Sequence, residues 1–307
     1  MPSIDINGQN SANQTSQHVD QVVTETQSTT QTSGIKGLSQ VEMNDPQQIR
    51  VMVSDHDKPI VVLFGPPECG KTMTLIRLTR FLNDHNYTVI PDHDFRPSFD
   101  KNYKDLCLGF NSMVNSDEAA AASPNIAFML VDVFKDGNLL CHILEAPGEH
   151  YFSPTDPEAQ FPNYVQRIIN TKNRKVWMTF FMPDWKDGQD RRNYVLRIKA
   201  LKSRTRKSDD FVLLFNKVDE IPNLVRSIGE VNEEALLKYA FDKYPGIDTL
   251  FQNTNPISSI WRKYDCTFVP FQTGTYGLDA QNRKTFEAGP DEYCETLWNT
   301  ILKYIHG

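Results

Sequence analysis

A short stretch that ends in Gly70, Lys71 and Thr72 has the residue types and the spacing that bind phosphate. It begins at Gly65, and four residues separate the two glycines, as in the Walker A pattern. Gly70 lets the backbone come close to phosphate oxygens, Lys71 places a cation beside the β- and γ-phosphates, and the Thr72 hydroxyl is an expected Mg²⁺ ligand. The alternative for this spacing is an ordinary helix start. We predict a nucleotide site in which Lys71 also acts on the reacting phosphate.

A second polar group, formed by Asn216, Lys217 and Asp219, follows an apolar run and has the chemistry of a guanine site. The Asp219 carboxylate can accept hydrogen bonds from both the N1–H and the exocyclic amine of guanine, whereas adenine offers no such pair of donors. The aliphatic part of Lys217 can pack along the plane of the base. The alternative is a polar turn after a buried strand. We favour guanine recognition because the phosphate motif lies upstream in the same chain.

With these two motifs in this order, the sequence resembles the Ras-like and translation-factor-related P-loop GTPases of the TRAFAC class over most of its length. The resemblance implies a third motif after the strand next to the phosphate loop. Glu145-Ala-Pro-Gly148 takes that place, with Glu where the family has Asp. Glu145 would then hold Mg²⁺ through a bound water, and the Gly148 N–H would contact the γ-phosphate. The resemblance also implies a base-contacting loop at Gln272 and Thr273, and Ser123 is the best substitute for the family's metal-binding switch threonine.

The same resemblance accounts for the unusual content of the phosphate loop, which includes Pro66, Pro67 and the acid Glu68. Proline has no N–H, and a carboxylate repels phosphate. In Ras-like loops the N–H donors come from the later half, which here means Glu68, Cys69 and the three residues that follow them. The two prolines occupy earlier positions where no donor is needed, and the Glu68 carboxylate must point outward.

Hydrolysis requires a water in line with the γ-phosphate and neutralisation of the developing charge. Glu149 lies at the position where Ras-like proteins often carry Gln, and His150 comes next, so either side chain could orient the water. Arg96, upstream of the third motif, is a candidate arginine finger in cis. The alternatives are a polar switch loop with slow turnover and a surface arginine without a catalytic role.

The resemblance therefore implies a GTPase that uses Mg²⁺ and acts as a molecular switch on a partner protein. Segments 92–125 and 148–160 would carry the switch, because γ-phosphate contacts order such segments and hydrolysis releases them. Two alternatives stay open. One is a scaffold that keeps guanine nucleotide without hydrolysing it, suggested by Glu145 and by the missing switch threonine. The other is a P-loop kinase that acts on nucleotides or small molecules.

The composition of the 307 residues limits the class of protein. There are 39 acidic and 32 basic residues, and the net charge of -7 does not favour a protein that neutralises nucleic-acid phosphates. The five cysteines are scattered and form no C-x-x-C pair, which suggests neither a disulfide framework nor a zinc site. No apolar run approaches the roughly 18 residues of a membrane span, and no targeting leader opens the chain. We expect a cytoplasmic protein that does not bind nucleic acid.

The elements that must position these motifs alternate between strand and helix from about residue 57 onward. Residues 1–45 are rich in Gln, Ser, Thr and Asn, so we predict a disordered tail there and one domain over 46–307. Short apolar runs predict strands, and apolar residues at helical spacing predict helices. We place strands at 59–64, 87–91, 125–134, 138–146, 175–183, 210–219 and 266–273, and helices at 71–84, 158–172, 189–207, 230–263 and 290–305.

This alternation predicts an α/β fold with a mostly parallel central sheet and helices on both faces. The Asp-Gly step at 136–137 predicts a hairpin between two neighbouring strands, which places one antiparallel strand at the edge of the sheet. Ligands of such sheets bind at the carboxyl ends of the strands. The phosphate loop and the guanine motif both follow strands, so we expect them to meet at that edge.

Overall fold

The computed structural model of the chain describes residues 37–53, 57–115, 128–183, 185, 187–221, 224–227, 230–256, 258–280, 282 and 284–306. Most of the predicted tail, 1–36, and the candidate metal ligand Ser123 lie outside the described residues. The last part of that tail contains a short helix, in which Ser39 and Glu42 form a capping box and before which Leu38 is buried. The described domain therefore begins before the expected boundary at residue 46.

The described elements alternate between strand and helix. The strands are β1 (Ile60–Phe64), β2 (Tyr87–Pro91), β3 (Met129–Lys135), β4 (Asn138–Glu145), β5 (Lys175–Phe181), β6 (Asp210–Phe215), β7 (Val225–Ser227), β8 (Glu230–Val231), β9 (Thr267–Pro270), β10 (Gly274–Leu278) and β11 (Lys284–Ala288). The helices are α1 (Gln40–Asn44), α2 (Lys71–Asp84), α3 (Lys101–Asn115), α4 (Gly148–Tyr151), α5 (Asn163–Asn170), α6 (Gly188–Lys202), α7 (Glu233–Lys243), α8 (Ile247–Phe251) and α9 (Asp291–His306). None of these helices, within the described part of the chain, is both long and apolar enough to cross a bilayer.

A seven-stranded sheet forms the centre of the fold, in the order β2-β3-β4-β1-β5-β6-β9. The strands from β4 to β9 in this order run parallel, and β3 runs antiparallel to both β2 and β4. This confirms the predicted α/β fold with a mostly parallel sheet. The reversed strand lies one position in from the edge, because β2 pairs with its outer side.

The central strands are buried because other elements cover both of their faces. Every residue of β1 and of β5 is buried, which is typical of parallel strands in the middle of a sheet. Phe64 and Trp177, on these two neighbouring strands, are fully buried, and their rings meet edge to face with centroids 6.3 Å apart. Because β4, β1, β5, β6 and β9 run parallel, the loops after β1, β4, β6 and β9 meet at one edge of the sheet.

A separate antiparallel hairpin, β10–β11, has no counterpart in the sequence-based prediction. It pairs Gly274–Leu278 with Lys284–Ala288 directly after the loop that follows β9. Its residues are mostly exposed, and it lacks the apolar runs that predict strands. The hairpin brings an additional element close to the edge of the sheet where ligands are expected.

Candidate nucleotide-binding site

A cavity of about 580 Å³ lies at the carboxyl edge of the parallel strands. Four loops form its walls, and most of the side chains proposed from the sequence lie in them. The lining residues are Pro67, Glu68, Gly70, Lys71, Thr72 and Met73 after β1, Glu145 at the end of β4 with Gly148 and Glu149 after it, Asn216, Lys217, Asp219 and Glu220 after β6, and Thr273 and Gly274 after β9. Both motifs therefore face the same space.

The phosphate loop has a backbone conformation that leads directly into α2. Glu68 and Gly70 have φ angles of 62° and 91°, and α2 begins at Lys71, with the Thr74 N–H donating to the Gly70 carbonyl at 2.9 Å. A Cβ atom at Gly70 would lie 2.2 Å from Nδ2 of Asn216, so both the backbone angle and the close approach require glycine. The first N–H groups of α2 lack partners within the helix and, with the helix dipole, favour an anion.

The Lys71 ammonium group lies inside the phosphate loop and is almost fully buried. It donates to the carbonyls of Pro66 at 3.0 Å and Gly65 at 3.3 Å, and it lies 3.8 Å from the Cys69 sulfur. Burial raises the pKa of the Cys69 thiol, so that side chain stays protonated and packs as a small apolar group. Among the described residues, the hydrogen-bond acceptors of this ammonium group are uncharged, so the buried cation is well placed to bind phosphate oxygens.

Thr72 and Glu145 bring two kinds of oxygen ligand together. The Thr72 hydroxyl donates to one oxygen of the Glu145 carboxylate, which is fully buried. The other Glu145 oxygen has no hydrogen-bond partner among the described residues, and burial raises the pKa of this carboxyl to about 7. An unpartnered buried carboxylate is costly unless a cation or donor joins it. The pair therefore fits a hard divalent cation such as Mg²⁺, which prefers oxygen ligands.

The loop after β4 lies directly against the phosphate loop. A Cβ atom at Gly148 would lie 2.2 Å from the Pro67 nitrogen and 2.3 Å from the Pro66 carbonyl carbon, so only glycine fits there. Glu149, the next residue, is exposed and lines the cavity. The proposed contact between the Gly148 N–H and a γ-phosphate stays a prediction.

His150 does not line this cavity, in contrast to the expectation that it could orient a water. Its ring is buried, and Nδ1 lies 3.0 Å from the Tyr164 hydroxyl. Burial lowers the pKa of His150 to about 4, so the imidazole is neutral at physiological pH. The short α4 helix turns this side chain into the core, while the preceding Glu149 faces the cavity.

Arg96 is likewise not brought to the cavity as an arginine finger. Its buried guanidinium group donates to the Glu42 carboxylate, to the Asp100 carboxylate at 2.8 Å and to the Arg50 carbonyl at 2.7 Å. Two carboxylates and a carbonyl thus accept the hydrogen bonds of the guanidinium group, between α1 and α3. Among the described residues, Arg96 connects the N-terminal segment around α1 to the rest of the domain.

Asn216 connects the guanine motif to the phosphate loop, a role that sequence reasoning did not assign. Its Nδ2 donates to the Cys69 carbonyl at 3.0 Å, and its Oδ1 accepts from the Lys217 N–H at 2.9 Å. The Val218 N–H donates to the Phe271 carbonyl at 3.3 Å, which joins the same loop to the one after β9. Asp219 follows on a 3₁₀ turn and lines the cavity.

The loop after β9 contributes one of its two expected residues. Thr273 lines the cavity, whereas Gln272 packs beside Gly289, where an added Cβ would lie 3.2 Å from Gln272 Cγ. Four further residues line the cavity and were missed, namely Pro67, Met73, Glu220 and Gly274. Each is adjacent in the chain to a predicted site residue, and this adjacency was the signal that the sequence offered for them.

No family model and no curated protein matches the chain. Among solved structures it is similar to a protein named nucleolar GTP-binding protein 1 from Plasmodium falciparum, at 14% identity over 84% of this chain and 94% of that one, with a TM-score of 0.37. It is similar to translation elongation factor SelB from Methanococcus maripaludis in complex with the GTP analogue GppNHp, at 10% identity over 83% and 35%, with a TM-score of 0.37. It is also similar to the S. cerevisiae Ski7 GTPase-like domain bound to GDP and inorganic phosphate, at 13% identity over 82% and 50%, with a TM-score of 0.39.

These are, by name, a GTP-binding protein, an elongation factor in complex with a GTP analogue and a GTPase-like domain. The chain spans half or less of the SelB and Ski7 chains.

Proposed function

We propose that the chain binds GTP and GDP and hydrolyses GTP to GDP and phosphate with Mg²⁺. The observation that supports this most is that Lys71 and Thr72 line the same cavity as Asn216 and Asp219. A phosphate-binding cation and a guanine-type carboxylate in one cavity of about 580 Å³ match the two ends of a guanine nucleotide.

In this proposal the phosphate loop binds the β- and γ-phosphates. The N-terminus of α2 presents N–H groups, and Lys71 exchanges its carbonyl contacts for phosphate oxygens. Thr72 and Glu145 would hold Mg²⁺, which, when bound, neutralises charge on the phosphate oxygens. Gly148 brings a backbone N–H to the γ-phosphate.

Asp219 recognises the base in this proposal, and replacing it with asparagine tests that role. Asp219→Asn loses two charge-assisted hydrogen bonds to guanine, so we expect the Kd for GDP to rise about a hundredfold. The new amide can donate to the 2-carbonyl of xanthine, so xanthosine diphosphate should bind more tightly to the variant than GDP does. Isothermal titration calorimetry with both nucleotides measures the preference. The control is Asp242→Asn on the exposed face of α7, and an unchanged preference in Asp219→Asn contradicts the base assignment.

Glu149 is the residue that we propose to orient the attacking water, because it is exposed at the cavity. His150 and Arg96 are both bonded elsewhere, so we expect slow intrinsic turnover. Their placement also favours a second candidate function, a scaffold that keeps guanine nucleotide bound without hydrolysing it.

Single-turnover assays with radiolabelled GTP or ATP and Mg²⁺ separate these two functions. Release of phosphate from GTP but not from ATP supports the GTPase. Stable binding of GTP without release supports the scaffold. If the protein binds neither GTP nor GDP, both proposals are wrong.

We further propose that a partner protein contacts segments 92–125 and 148–160; within the first of these, 116–125 lie outside the described residues. The second segment is tied to α6 by Arg197, whose buried guanidinium donates to the carbonyls of Tyr151 and Ala159. Motion of this segment during switching would require these bonds to change. A nucleotide-dependent change would act on these bonds, because they hold the loop that follows Gly148.

The compartment that we propose is the cytoplasm. All five cysteines are free and buried. Because proteins of oxidising compartments tend to pair their cysteines, free thiols support a reducing environment.

A further inference from the structure

The β10–β11 hairpin packs on α2 through the aromatic side chain of Phe286. Phe286 contacts a small cluster formed by Met73 and Ile76, which is separate from the main core. The opposite side of α2 packs into the main core through residues that include Leu75 and Leu78. Phe286 therefore joins the hairpin to α2, the helix that follows the phosphate loop, on the side of α2 that faces away from the main core.

The same ring lies against the backbone of Gly274. An added Cβ at Gly274 would lie 2.7 Å from Cε2 and Cζ of Phe286 and 2.3 Å from the Glu287 carbonyl, and the φ angle of 147° also favours glycine. Gly274 and Met73 both line the nucleotide cavity. Phe286 thus lies behind two parts of the cavity wall without lining the cavity itself.

The base of the hairpin is fixed to α2 by a second contact. The buried Arg77 guanidinium donates to the Gly289 carbonyl and to the Asp291 carboxylate, the latter at 2.8 Å. The Gly289 N–H in turn donates to the Thr273 carbonyl at 3.2 Å. Arg77 and Phe286 therefore hold the Thr273–Gly274 loop at a fixed distance from α2.

We infer that Phe286 is a positioning residue for the nucleoside part of a bound guanine nucleotide. This inference rests on the proposed function. Lys71 and Thr72 follow β1 and begin α2, whose Leu75 and Leu78 pack into the main core, so we expect the phosphate half of the cavity to depend less on the hairpin. The wall at Thr273–Gly274 does depend on it, because the Phe286 ring supports that wall from behind. Loss of the ring should weaken nucleoside contacts while phosphate binding remains.

Phe286→Ala tests this inference, with GDP and inorganic tripolyphosphate as probes in the presence of Mg²⁺. Calorimetric titration of the full chain should show a Kd for GDP raised about tenfold, equivalent to about 1.4 kcal/mol, and a Kd for tripolyphosphate within twofold of wild type. Phe286→Leu keeps apolar packing and should recover most of the GDP affinity. Leu278→Ala is the control, because Leu278 is on the same hairpin but is 64% exposed.

Gly274→Ala gives a second variant, because its Cβ would meet both the Phe286 ring and the Glu287 carbonyl oxygen and so displace the ring and the adjacent hairpin backbone. It should reproduce the selective loss of GDP affinity, and circular dichroism checks that both variants fold. An unchanged Kd for GDP in both variants, or an equal loss of GDP and tripolyphosphate affinity, overturns the inference. If wild-type protein binds tripolyphosphate but not GDP, the proposed function itself fails, which is a distinguishable result.

Discussion

Replacing Asn216 with alanine should weaken both the fold and nucleotide binding, because this buried side chain joins two loops around the cavity. The change removes hydrogen bonds to the Cys69 carbonyl and from the Lys217 N–H, at 3.0 and 2.9 Å. Each bond contributes about 1 kcal/mol, and a buried carbonyl left without a partner costs about 1 kcal/mol or more. We expect the free energy of unfolding to fall by about 3 kcal/mol.

The effect on binding follows from the position of Cys69 in the phosphate loop. Without its bond to Asn216 this residue gains backbone freedom that nucleotide binding must remove, at about 1 to 2 kcal/mol. The Kd for GDP should therefore rise about tenfold. Asn216→Asp retains the acceptor for the Lys217 N–H but turns an oxygen toward the Cys69 carbonyl, so it should be at least as damaging.

Urea unfolding and calorimetric titration with GDP measure the two effects, and Asn253→Ala is the matched control. Asn253 is also buried, and its Nδ2 donates to the Ser258 hydroxyl at 2.9 Å and to the Arg262 carbonyl at 2.8 Å, in the loop before β9. This control should lose similar stability and keep its GDP affinity. The reasoning is refuted if Asn216→Ala binds GDP within twofold of wild type, or if both variants lose affinity equally.

Two further predictions concern residues that the structure moves away from the cavity. The folded-state pKa of His150, about 4, lies below its ordinary value of 6.5, because burial disfavours the charged ring. The stabilisation that the neutral ring gives to the fold is therefore complete above pH 6.5 and is lost as the pH falls toward 4. Between pH 7 and pH 5, the free energy of unfolding of wild type, measured with urea, should fall by about 2 kcal/mol more than that of His150→Gln. Equal decreases in the two proteins would contradict the burial of a neutral ring. Arg96→Ala leaves Glu42 and Asp100 without their cation, so stability should fall by about 3 kcal/mol while GTP turnover at saturating nucleotide stays unchanged. A turnover loss of about a thousandfold would instead indicate an arginine finger.

The parts of the site that could be predicted are those in which chemistry and local structure coincide. Lys71 and Thr72 lie in a strand, loop and helix that are contiguous in the chain, and Asp219 follows a strand whose apolar run is evident. Parallel strands bring their carboxyl ends to one edge, so the alternation of strands and helices was enough to expect these residues, together with Glu145, around one cavity.

The amino-acid sequence by itself determined the order along the chain of the seven strands of the central sheet and the chemical types at its carboxyl edge, because both depend on near neighbours in the chain. Only the tertiary structure decided which side of a loop each neighbouring side chain takes. His150 turns toward Tyr164 while Glu149 faces the cavity. Arg96 is held by a carboxylate 54 residues away, and the exposed β10–β11 hairpin reaches the site through Phe286. These outcomes depend on burial and on contacts between distant parts of the chain, which no local pattern encodes.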